Sequence, residues 1–156
     1  MRWIISAITL LAWTAGCGDP YARYATAVQD DVDPAMAAAF RMAARVQLTV
    51  VHDQIPADSM GTVADVVRRT EHTVHARAIH FSAVTPPPEL TDAHAQLALA
   101  LSNLDHALDA MAAAFERHST TLPSFGDVGG DIRMARYRVQ RLLLPHGILL
   151  NPINFQ

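Results

Sequence analysis

The sequence predicts an all-α protein, an antiparallel up-down four-helix bundle behind an N-terminal signal peptide. Three observations carry this. Leu90, His94, Leu97, Leu101, Leu104, Leu108, Met111 and Phe115 advance in alternating steps of four and three residues. That is the repeat of a helix with one apolar seam along its length, and such a seam has to be covered by other helices. The prolines at Pro56, at Pro86-Pro87-Pro88 and at Pro145 stop the helical pattern and leave short links between its stretches. Nowhere does a two-residue alternation of apolar and polar side chains compete with this reading.

The composition fits one domain with a substantial core. Of 156 residues, 51% are hydrophobic and 17% charged, and the net charge is only −3. Neither a basic surplus for nucleic acid nor an acidic solvating tail is present. All 12 basic residues are arginine, a choice in keeping with a GC-rich genome. Cys17 is the single cysteine, so an internal disulfide is excluded.

Residues 1–16 have the form of an address. Arg2 supplies a minimal positive charge, and Trp3 to Trp13 is an apolar run too short to span a bilayer comfortably. Thr14, Ala15 and Gly16 then lead into Cys17. The Ala15-Gly16-Cys17 sequence resembles the lipobox of bacterial lipoproteins, with Thr14 standing where leucine is usual. That resemblance implies cleavage before Cys17, acylation of its thiol and a membrane anchor facing the periplasm or the cell exterior. Gly18 follows in place of the aspartate that favours inner-membrane retention in Gram-negative relatives, so the resemblance leans towards the outer membrane. The plainer alternative is ordinary secretion with cleavage near Gly16, and a further one is an uncleaved anchor.

The elements follow in order. Residues 17–33, with Asp30-Asp31-Val32-Asp33 at their end, read as a lipidated tether with at most a short helical turn around 21–29. Asp33-Pro34 has the signature of a helix start, a capping carboxylate before a proline at the first helical position. The first helix is expected over 34–54, with Met36, Phe40, Ala44, Leu48 and Val51 inward. The second is expected over 58–83, with the seam Val63, Val67, Thr70, Val74, Ala78, Phe81. The third spans 88–118 and opens with Glu89 and Asp92, which favour the positive end of the helix dipole. A loop rich in glycine follows. The fourth helix is expected over 131–144, with Ile132, Ala135, Val139 and Leu142 inward. The tail, 145–156, is too apolar to stay in water and is expected to pack on the bundle.

Pro87-Pro88-Glu89-Leu90, followed by His94 and Leu97, behind a lipobox and two apolar helices, is similar to a pattern in small helical envelope lipoproteins of GC-rich bacteria. It covers the signal and about thirty residues of the third helix, and it implies no activity.

Eight histidines and six methionines raise metal and haem chemistry. Glu71, His72 and His75 have the three- and four-residue spacing that lets one helix offer two ligands to a divalent ion. Because Val74 faces the core, these residues are expected on its flanks, towards solvent, and a polar face is the plainer reading. His94 and His118 fall on the third-helix seam near its two ends. Each is a candidate metal or ligand contact, and more simply a half-exposed imidazole closing the core. Met36 and His146 have the chain placement of a Met/His haem pair, although no Cys-x-x-Cys-His is present. Asp105 and Asp109 read as a wet face beside His106. Arg133, Arg136, Arg138 and Arg141 make the fourth helix basic, a face for anionic headgroups or for pairing with acidic neighbours.

No Gly-x-Ser-x-Gly or His-Glu-x-x-His sequence occurs, and no enzyme is expected. The expectation is a lipid-anchored envelope bundle with a non-catalytic binding or structural role. Its partners would be the membrane through Cys17 and another envelope protein, with no cofactor. The alternative is a metal- or haem-binding envelope protein using His and Met side chains.

Overall fold

A computed structural model of the chain describes residues 18–52, 54–117 and 126–155, and all its regular elements are helical. They are α1 (Pro20–Ala27), a π-helical turn (Val28–Val32), α2 (Asp33–Thr49), α3 (Met60–Ser82), α4 (Thr91–Glu116) and α5 (Gly126–Leu143). Short 3-10 turns, Pro88–Leu90 and Leu144–His146, precede α4 and follow α5. None of the described helices is long and apolar enough to cross a membrane. Residues 1–17, which hold the expected signal peptide and Cys17, lie outside the described residues.

The first departure from the sequence reading is at residues 18–33. The expected tether is helical, and its helix runs without a break into α2. Asp19 caps it, its Oδ1 accepting from the Tyr21 N–H at 2.9 Å, and Pro20 occupies the first turn. Pro34 is therefore an interior proline. It offers no N–H to the carbonyl four residues back, that of Asp30. The chain adapts by widening a turn: the Asp33 N–H reaches Val28 O, five residues back. The Asp30 carbonyl, which Pro34 cannot serve, takes a hydrogen bond from Arg77 Nη1 of α3 at 2.9 Å.

That continuity sets the phase of the buried face. Tyr24, Val28, Val32, Ala35, Ala39, Met42 and Val46 form one buried row through the π turn. The inward set expected from 34 onwards is rotated by about one residue, roughly 100°. Met36 is buried, but Phe40 is 55% exposed and Leu48 86% exposed. Phe40 instead meets Phe155 of the tail, ring centroids 4.7 Å apart.

Helix α4 is the hub, packing on α3 along one side and on α5 along the other. All of Leu90, His94, Leu97, Leu101, Leu104, Leu108, Met111 and Phe115 are buried, with Ala93, Ala100 and Ala112 beside them. Helix α3 buries Met60, Val63, Val67, Val74 and Phe81 against this seam, and α2 packs on α3. Helix α5 buries Ile132, Ala135 and Val139, as its period requires, and then Leu143 where Leu142 was expected.

Gly147 ends the last 3-10 turn at φ +72°, the left-handed conformation that glycine reaches at no steric cost. The tail beyond it lies on the helices. Gln140 accepts from the Leu150 N–H at 2.6 Å and donates to Ile148 O at 3.2 Å, and Leu150 is buried. Arg136 joins three segments, forking onto both carboxylate oxygens of Asp33 at 2.6 and 2.8 Å and donating to Asn151 O at 2.6 Å.

Candidate metal centre between helices α3 and α4

The polar side chains of α3 that face α4 meet a row of carboxylates. Glu71 and His75 are one helical turn apart on α3, and Asp105 comes from α4 opposite them. One ligand atom from each lies within 4.8 Å of the others. His75 Nδ1 is 2.8 Å from Asp105 Oδ2. The other oxygen, Asp105 Oδ1, is sealed from solvent and has no hydrogen-bond partner among the described residues. A dry, unpaired carboxylate oxygen is uncommon in folded proteins and is the kind of acceptor that a cation or an ordered water takes.

Arg68, one turn before Glu71, lies beside the group. Its Nη1 donates to Asp109 Oδ1 at 2.7 Å and contacts Glu71 Oε2 at 3.4 Å, while Nη2 donates to Glu116 Oε1 at 3.0 Å. Three carboxylates, Glu71, Asp109 and Glu116, thus share one permanent cation, and Asp105 has only His75 opposite it among the ion pairs of the described residues. The negative surplus favours protonation of His75, whose pKa is raised chiefly by its hydrogen bond to Asp105 and then by that charge.

The set is chemically suited to a small divalent transition metal. One imidazole and two carboxylates make a three-ligand site with room for water. Ligand bonds of about 2.1 Å require ligand atoms no more than about 4.2 Å apart. At the tetrahedral angle that spacing falls to about 3.4 Å, so the widest separation would close by up to about 1.4 Å, shared between rotation of the exposed His75 ring and movement of the two carboxylates. Binding would expel the His75 proton.

Glu71 differs from its expected place in being buried, held under Arg68. His72 is exposed, with its Nδ1 3.3 Å from Glu71 Oε2. His118 lies outside the described residues.

His94 is not at this site and is not half exposed. It is buried among rings, with the Phe81 centroid 4.8 Å and the Tyr24 centroid 5.8 Å away, and its Nδ1 lies 3.3 Å from Tyr24 Oη. Burial pushes its pKa down and that of Tyr24 up, so both stay neutral.

His80 and Arg77 form a separate group on the buried Asp31 carboxylate, at 2.6 and 3.3 Å. His146 stacks on Tyr21, ring centroids 3.5 Å apart, beside Glu89, which accepts from the Tyr21 hydroxyl. Met36 faces a different region, a groove of about 330 Å³ lined by Phe40, Leu104 and Ile132, so the haem pair suggested by chain order does not meet. Of the four fourth-helix arginines, Arg136 is spent on Asp33 and the tail, and Arg138 donates to Gln96.

Arg68 is the residue the sequence did not single out, and Asp105, read there with Asp109 as a wet face, instead has its side chain largely buried against α3, while Asp109 is exposed. The available signal was position: Asp105 sits between Leu101, Leu104 and Leu108 of the seam, so its side chain borders the core. No family model, curated protein or solved structure matches this chain.

Proposed function

We propose that the protein is a lipid-anchored, antiparallel up-down four-helix bundle of the cell envelope, whose role is to bind rather than to catalyse. The observation that carries this is Ala15-Gly16-Cys17 behind an apolar run of signal length. The up-down course is supported by the short links at 50–59 and 83–90 and by packing between helices adjacent in the chain. The test is mass spectrometry of the protein from membranes of the native host. The expected product begins at Cys17 with diacylglycerol on its thiol and partitions into detergent, and Cys17→Ser abolishes both. A mature chain beginning elsewhere, or a free Cys17 thiol, would defeat the reading.

A second reading is favoured by one observation, the unpartnered Asp105 Oδ1. On this reading Glu71, His75 and Asp105 bind one zinc-like divalent ion. Titration with Zn2+ should show one site, weakened about tenfold or more by Asp105→Asn or His75→Gln. Retention of full affinity by both variants would exclude these residues as ligands.

A further inference from the structure

We propose that the end of the molecule formed by Tyr21, Glu89 and His146 faces the bilayer, and that Leu144 and Leu149 rest in its interfacial layer. This orientation rests on the anchor at Cys17.

The geometry begins with the short reach from the anchor. Helix α1 starts at Pro20, and its cap, Asp19, bonds the Tyr21 N–H. Four residues, even fully extended, span at most about 14 Å, so Tyr21 lies within that distance of an acylated Cys17. Tyr21 is fixed in turn: its ring stacks on His146 and its hydroxyl donates to Glu89. The end of α5 and the start of α4 are thereby held at the anchored end. The far end is distant. From Tyr21 to Leu48 the chain is one helical run of 28 residues, about 40 Å along its axis.

The surface beside the Tyr21–His146 stack has the chemistry of a bilayer contact. Leu144 opens the 3-10 turn that carries His146 and is exposed. Leu149 is 71% exposed, although its neighbours are pinned to the last turns of α5, Ile148 N to Leu143 O and Leu150 N to Gln140. Tyr21 supplies an aromatic ring with a polar tip, suited to the headgroup level. Charges near this end are mixed: Arg23 and Arg141 against Asp19, Glu89 and Asp92. The contact is therefore apolar rather than electrostatic, and it needs no anionic lipid. The diacylglycerol on Cys17 would supply two acyl chains and hold the protein by itself, so a second, weak contact at the same end serves to fix its orientation.

The sequence makes the test clean. Cys17 is the only cysteine, and acylation consumes its thiol, so an introduced cysteine is the only one that takes a thiol dye. The native acylated chain, as Leu149→Cys or Leu48→Cys, is labelled with an environment-sensitive fluorophore. It is then placed in phosphatidylcholine nanodiscs containing nitroxide-labelled lipid. Both positions are exposed, so both variants should fold. The expected result is quenching several-fold stronger at residue 149 than at residue 48, unchanged in high salt. Equal quenching, stronger quenching at 48, or no quenching at 149 would overturn the orientation while leaving the anchor intact. Uptake of dye by the parent chain would reveal a free Cys17 and overturn the anchor, and the orientation with it.

Discussion

His94 is polar in name and behaves as part of an aromatic cluster. It stands one seam position after Leu90, between the rings of Tyr24 and Phe81, and burial holds it neutral. Its folded pKa lies below the unfolded histidine value of about 6.5. Above that value both states are neutral and the stability it contributes is fully present. As pH falls from about 6.5 towards the lower folded value, the unfolded chain binds a proton that the folded chain does not, and that stability is lost. Thermal melts between pH 7.5 and pH 5 should therefore show a falling midpoint. His94→Leu, which cannot titrate, should flatten the part of the slope below about pH 6.5. An unchanged slope in the variant would place the acid sensitivity elsewhere. The residue's seam position was legible from period alone. Its ring neighbours were not, because Tyr24 belongs to a stretch that composition and charge marked as a tether.

The π turn explains why. Asp33-Pro34 carries the same local signature whether it starts a helix or interrupts one. What decides between these outcomes is a donor from outside, Arg77, whose Nη1 serves both the Asp30 carbonyl and the buried Asp31 carboxylate. Such a partner, nearly fifty residues away in the sequence, leaves no periodic trace. Arg77→Ala should lower stability by about 1–3 kcal/mol, because it removes the donor from a carbonyl and the cation from a carboxylate together. Arg77→Lys, a point charge without the guanidinium fork, should recover only part of this. Urea unfolding should show a lower midpoint with an unchanged slope. A loss no larger than a few tenths of a kcal/mol would mean that the turn holds without help. Helix α4 is the opposite case. Its seam is continuous, so its sequence alone predicted which face is covered.

At the scale of the molecule, helices adjacent in the chain pack on one another, and the first and last are joined by Arg136 and the tail. Helix number, the proline breaks and the α4 core were legible because each is a local or periodic signal. The Glu71–His75–Asp105 group was only half legible. The spacing of Glu71 and His75 lies within one helix, whereas the approach of Asp105 depends on how α3 and α4 are rotated against each other. The tail's apolar composition predicted contact but not its partners, Gln140, Arg136 and Phe40. Leu150 is its buried anchor point. Leu150→Ala should destabilise the whole domain by about 2–3 kcal/mol. Two-state urea curves would test this, and a smaller loss confined to residues 148–155 in hydrogen exchange would show the tail to be a separable strap.

The aromatic residues also have an optical consequence. Both tryptophans, Trp3 and Trp13, lie in the segment removed on the anchored reading, and the mature chain then absorbs near 280 nm through Tyr21, Tyr24 and Tyr137 alone. Tyr137 is open to solvent, Tyr21 is engaged by Glu89, and Tyr24 is sealed in the core. Burial raises the Tyr24 pKa, so in an alkaline spectrophotometric titration its share of the tyrosinate band should appear only as the fold gives way. The protein thus carries a built-in reporter of its own interior, readable with no added dye and no tryptophan background.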